Sequence, residues 1–181
     1  MFQSSFMVKK DIIYIGVCFV IFACLRFAFS FLDTEMMQFL LMPTNKLIEV
    51  IVGSKGEYID GVGYFHSQLN IVINKSCSGY NFWLIGFLMA SFVLIKSQKI
   101  NFLLTIPLTL VISYMVTILA NVSRIAGYIL LMKGKLPQYI DSNGTWLHQM
   151  EGIFVYLSFL ILFFLTLNYT ITKIKDNEKT A

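Results

Sequence analysis

Charge is scarce in this chain. Asp, Glu, Lys and Arg make up only 13% of its 181 residues, where a soluble domain carries about a quarter. With 57% hydrophobic residues and a mean hydropathy of +0.72, there is too little polar surface to cover a water-soluble globule. Cysteine is scarce too. Three residues, an odd number, exclude a secreted disulfide scaffold. No run of like charge exceeds Lys9-Lys10, which argues against a nucleic-acid partner. A net charge of only +4 beside abundant apolar residues argues against disorder. Two histidines far apart give no metal-ligand set, and no cofactor fingerprint, repeat or low-complexity tract is present. What the chain does have is long apolar runs, the mark of a single-domain integral membrane protein.

A hydrocarbon core about 30 Å thick needs roughly 20 apolar helical residues. Four stretches qualify, predicting spans over 12–32, 78–96, 101–121 and 148–169. The expectation is an all-α polytopic bundle of four to six membrane helices with short extracytoplasmic loops. Met36–Val52 carries Pro43, Thr44, Asn45, Lys46 and Glu49, too polar to face lipid all round, and reads as an interfacial or re-entrant helix, with a spanning helix as the alternative. Residues 122–132 read as a further short helix. Leu69–Ile73 is a short β-type run. Ser30-Phe31-Leu32-Asp33 offers no small-x-small cleavage site, so the first span does not read as a signal peptide. Lysines orient the chain. Lys9, Lys10, Lys96, Lys99, Lys173, Lys175 and Lys179 all fall on one side when four spans are threaded. Both termini are then expected in the cytoplasm, and Asp33–Ser76 and Asn121–Leu147 outside.

That threading delivers three reactive residues to the outer boundary: Cys77 before the second span, Arg124 after the third and His148 at the start of the fourth. Cys18 and Cys24 lie inside the first span and read as small core residues. Cys77 differs, because polar residues flank it on both sides in Asn74-Lys75-Ser76-Cys77-Ser78-Gly79-Tyr80-Asn81. Ser76 or Ser78 can cap the following helix, and a helix N-terminus near Lys75 and Arg124 favours the nucleophilic thiolate. Gly79 removes a side chain beside the sulfur, so that a substrate backbone can approach. Alone, Arg124 reads equally as an interface anchor, but Asn121, Arg124 and Tyr128 form a polar stripe on an apolar helix, which points toward a cavity. His148 alone reads as an interface anchor beside Trp146. Near a helix N-terminus, capped by Asn143 or Thr145, its imidazole is held neutral, as a general base requires. Gly152, one turn on, permits close helix packing. His66 reads as structural or surface, and Arg26 within the first span has no assigned role.

Together the three types supply a chemistry. A thiolate attacks a carbonyl to form a thioester, an imidazole carries the proton to the leaving amine, and a guanidinium stabilises the oxyanion or holds the substrate. The triplet Cys77-Ser78-Gly79, then Asn121-x-x-Arg124, then His148-x-x-x-Gly152 resembles the exosortase/archaeosortase family. That family carries CSG, N-x-x-R and H-x-x-x-G in this order at the outer ends of successive spans. The resemblance covers roughly residues 70–164. It is to a compact member such as the type called exosortase K, since larger members have more spans. The resemblance implies a cysteine protease or transpeptidase in a bacterial or archaeal cytoplasmic membrane, with its active site on the extracytoplasmic side. Its substrates would be membrane-anchored proteins ending in a short motif, a transmembrane helix and a basic tail, and an unknown surface acceptor would receive the product. Matched positions imply Cys77 as nucleophile, Arg124 as electrostatic stabiliser, His148 as proton shuttle and Asn121 as an orienting residue, with Ser78 and Gly79 completing the first motif. A thiol protease without transpeptidation, or a non-enzymatic scaffold or transporter subunit, remain the competing readings.

Overall fold

The computed structural model describes residues 2–97, 101–133 and 144–180, with side chains described except at 2–9, 132–133, 144–149, 175 and 178–180. The described residues are mostly helical. Five α-helices are present among the described residues: α1 Phe2–Ala28, α2 Gln38–Val52, α3 Tyr80–Ser97, α4 Phe102–Lys133 and α5 Gly144–Thr180. The fold is the expected all-α bundle. Four stretches are long and apolar enough to cross a membrane: Lys10–Phe31, Lys75–Ser97, Phe102–Leu131 and Met150–Ile174.

One expected boundary is absent. Residues 122–132 are not a separate short helix but the last third of α4, which runs unbroken for 32 residues. No glycine or proline stands between Ala120 and Ile125 to stop it, and Pro107 near its start is accommodated inside the helix. α2 spans only 15 residues, about 22 Å at the helical rise, too short to cross the hydrocarbon. Gly53 ends it in the left-handed conformation, its N–H donating to the Glu49 carbonyl, the usual glycine stop.

The chain divides into two compact units. One contains residues 1–31, 81–116 and 160–181, the other 32–80 and 117–159. In the first, Cys18, Phe87 and Ile95 form a buried core, with Tyr14, Phe102 and Ile106 packed against it. Cys24, by contrast, is exposed. Arg26 places its guanidinium 5.7 Å from the Phe29 ring centroid. Ser91 donates to Thr109 at 3.0 Å, a helix–helix hydrogen bond of the kind that joins apolar segments where hydrophobic burial cannot.

In the second unit, α2 packs on a three-stranded antiparallel sheet, β1 Glu57–Ile59, β2 Gly63–His66 and β3 Ile71–Ile73, in the order β1-β2-β3. Register pairs Tyr58 with Tyr64 and Phe65 with Val72. β3 coincides with the expected β-type run. His66 is fully buried and joins α2 to the sheet. Asn45 Nδ2 donates to Glu49 Oε1 at 3.0 Å, so its Oδ1 is the acceptor facing His66 Nε2 at 2.8 Å. His66 Nδ1 faces Ser54, 3.3 Å from its Oγ. A Cβ at Gly56 would lie 2.5 Å from Asn45 Oδ1 and 2.7 Å from His66 Nε2, so glycine is what lets the chain cross this cluster.

Candidate active site

Cys77 closes a short 3-10 turn, Lys75–Cys77, rather than opening α3. Asn74 holds the turn from outside. Its Oδ1 accepts the Ser76 N–H at 3.1 Å and the Ser76 hydroxyl at 2.7 Å. With that proton committed to Asn74, Ser76 Oγ is left to accept from the Cys77 thiol, 3.8 Å away. Lys75 donates to the Leu32 carbonyl at 2.6 Å, which pins the turn to the chain leaving α1. Ser78 is buried, and its hydroxyl accepts the Tyr80 N–H at 3.3 Å. Of the two expected helix caps, Ser78 therefore serves α3 while Ser76 serves the cysteine turn. Cys77 itself is half-buried, open enough to react.

Gly79 has φ +72°, and a Cβ there would lie 3.1 Å from Thr117 Cγ2 and 3.3 Å from Asn121 Cγ. The space its missing side chain frees is thus taken by α4. Gly79 thus seats the cysteine turn against the helix.

Asn121 is the other half of that seat. It is fully buried. Its Nδ2 donates to the Cys77 carbonyl, and its Oδ1 accepts the Tyr156 hydroxyl at 2.9 Å. One turn further along α4, the Arg124 guanidinium lies over the Tyr156 ring, 5.1 Å from its centroid, within cation–π range. Tyr156 also lies within electrostatic range of Cys77 and Glu151. One tyrosine on α5 therefore ties together the cysteine turn, the asparagine and the arginine.

Glycines bring α4 and α5 together here. A Cβ at Gly152 would come within 3.2 Å of Arg124 Cδ, and a Cβ at Gly127 within 2.9 Å of Glu151 Oε1. Each helix offers a glycine to the charged side chain of the other. Among the described residues, Arg124 Nε and Nη2 and both Glu151 carboxylate oxygens are buried without a hydrogen-bond partner, although the two groups interact electrostatically.

Cys77, Asn121 and Arg124 are thus assembled around Tyr156. His148 lies in α5 one turn before Gly152, and its side chain lies outside the described residues, as do the caps expected at Asn143 and Thr145. Tyr128 is half-buried on α4. His66 belongs to the α2–sheet network, where burial pushes its imidazole below the usual histidine range against the opposing effects of Ser54 and Glu49.

The motifs do not include Tyr156 or Glu151. Tyr156 had a visible signal: His148, Gly152 and Tyr156 recur every four residues, one face of a helix. So did the seat for Cys77. Thr105, Thr109, Ser113, Thr117 and Asn121 recur at the same interval along α4, and all five are buried. Among the described residues, no group of histidine, cysteine, aspartate and glutamate is placed to hold a metal ion. No family model, curated protein or solved structure matches the chain.

Proposed function

We propose that this protein is a membrane-embedded, exosortase-like cysteine protease or transpeptidase that cleaves a C-terminal sorting signal from membrane-anchored proteins. The observation that carries the reading is the clamp on Cys77. A buried asparagine on α4 holds the cysteine's own carbonyl, and Arg124 stands one turn away over the tyrosine that buttresses the same asparagine. A merely structural cysteine in an apolar bundle needs no such seat. A nucleophile does, because attack demands fixed distance and angle.

In the proposed reaction, Cys77 Sγ gives its proton to His148 and attacks the scissile carbonyl carbon. The carbonyl π pair moves to oxygen, and Arg124 stabilises the charge that develops there. When the tetrahedral intermediate collapses, the C–N bond breaks, His148 protonates the leaving amine, and a thioester remains on Cys77. Water or an amine on a surface acceptor then attacks the thioester, loses its proton to His148, and frees the thiol. The products are a carboxylic acid in one case and a new amide in the other. Asn121 and Tyr156 do not touch the reacting atoms and act as positioning residues. A substrate tethered by its own transmembrane helix suits a site at the end of a bundle, since the tether supplies much of the positioning.

The test is Cys77→Ala, co-expressed with a protein from the same genome that ends in a short motif, an apolar helix and a basic tail. Processing is expected to disappear while the variant still inserts in the membrane. Processing at the normal rate would end the nucleophile reading. Mass spectrometry of the wild-type product separates the two fates of the thioester, since a free carboxylate marks hydrolysis.

A further inference from the structure

The hydrogen bonding of the charged pair between α4 and α5 is incomplete. Arg124 and Glu151 are each half-buried and attract one another, as ionisable groups inside a membrane bundle normally do, but a buried polar atom left without a hydrogen bond still carries a desolvation penalty. Arg124 offers Nε and Nη2, and Glu151 offers both carboxylate oxygens, with none of the four hydrogen-bonded among the described residues. Both side chains sit where a glycine of the facing helix makes room for them, Arg124 on Gly152 and Glu151 on Gly127. The same Arg124 lies over Tyr156, whose hydroxyl reaches Asn121 and through it the Cys77 carbonyl.

What would complete such a pair follows from its charges. An anion that satisfied Arg124 would be repelled by Glu151, and a cation on Glu151 would be repelled by Arg124. An apolar group would leave both unsatisfied. A peptide main chain is neutral and offers one carbonyl acceptor and one N–H donor per residue. We propose that Arg124 and Glu151 form the seat for an extended main-chain segment of the substrate, Arg124 donating to one of its carbonyls and Glu151 accepting one of its N–H groups. This rests on the reading of Cys77 as a nucleophile for peptide carbonyls. It adds a binding residue, Glu151, and explains how one site could accept substrates of differing side chains.

The probe is a panel of capped tripeptide aldehydes, which carry a main chain and bind a nucleophilic thiol reversibly. The readout is protection of Cys77 from iodoacetamide in membranes of a Cys18→Ala, Cys24→Ala protein. The best-protecting member is then methylated at each amide nitrogen in turn. One methylation is expected to weaken protection about tenfold, the loss of a hydrogen bond to a charged group. Glu151→Ala should weaken the unmethylated probe by a similar factor and leave the methylated probe no worse. Glu151→Gln, which keeps the shape and one acceptor oxygen, should fall between. If methylation and substitution multiply instead, Glu151 does not accept a substrate N–H and the proposal is wrong. It is equally wrong if Glu151→Gln and Glu151→Ala protect as well as wild type. If no aldehyde protects Cys77 even in the wild-type sequence at 151, the nucleophile reading itself fails.

Discussion

At the scale of single residues, the decisive contact is the one Asn121 makes with the Cys77 carbonyl. An amide side chain can donate and accept at once, and Asn121 does both, donating to the cysteine turn and accepting from Tyr156. Aspartate has the same shape but cannot donate. Asn121→Asp would therefore keep the Tyr156 bond and set two acceptors against each other at Cys77. Leaving a buried carbonyl unsatisfied costs about 2 kcal/mol, so a processing rate roughly thirtyfold lower is expected. Initial rates measured on membranes, beside a thermal unfolding curve to confirm the fold, check this. Tyr156→Phe keeps the ring under Arg124 and removes only the hydroxyl, so its smaller expected loss, about fivefold, isolates the buttress from the clamp. Normal rates in both variants would reduce Asn121 to a helix-packing residue. The sequence marked Asn121 and Arg124 by their polarity on an apolar helix, but nothing local shows that Asn121 reaches back 44 residues. That partner comes from tertiary packing, through Gly79 and Thr117.

At the scale of elements, α2 and the small sheet depend on one buried histidine. His66 is held neutral between Asn45 and Ser54, and burial lowers its affinity for a proton. Its unfolded reference lies near 6.5. Between that value and the lower folded value, the unfolded chain binds a proton that the native chain refuses. Stability in that window therefore rises with pH, and it is lost as pH falls below about 6.5. The thermal midpoint of the detergent-solubilised protein is expected to drop between pH 7 and pH 5.5, and His66→Gln should flatten that part of the profile. An unchanged slope in the variant would show that His66 does not govern it. The elements were unevenly legible. α1, α3, α4 and α5 announce themselves by length and hydropathy, which a bilayer enforces. β1 and β2 have only three and four residues, too few for alternation to be told from chance, and their glycines read as loop. The continuity of α4 is hidden for a different reason: the polar residues Asn121, Ser123 and Arg124 resemble a helix end in composition, yet the helix continues through them.

At the scale of the whole molecule, the orientation of the chain follows from the number of crossings, and α2 decides that number. At 15 residues it is too short to span, and its buried side includes Thr44 and Asn45, which serve the sheet rather than lipid. Among the described residues, four stretches remain that are long and apolar enough to cross. If all four cross, the even number returns the chain to its starting side and would collect Lys9, Lys10, Lys96, Lys99, Lys173, Lys175 and Lys179 there, on the side that the positive-inside tendency would make cytoplasmic. On that threading Cys77, at the opposite end of the α3 span from Lys96, would face outward, where the proposed sorting substrate would present its motif. Single-cysteine proteins test this with a membrane-impermeant maleimide, again in a Cys18→Ala, Cys24→Ala background. Cys77 should be labelled in intact cells. Lys96→Cys and Lys173→Cys, each made with Cys77→Ala, should be labelled only after permeabilisation. Labelling of Lys173→Cys in intact cells with Lys96→Cys still protected would mean an odd number of crossings between them and would break the four-span threading. Protection of Cys77 in intact cells, with Lys96→Cys labelled, would turn the whole bundle over and put the thiol on the wrong side for a surface-sorting enzyme.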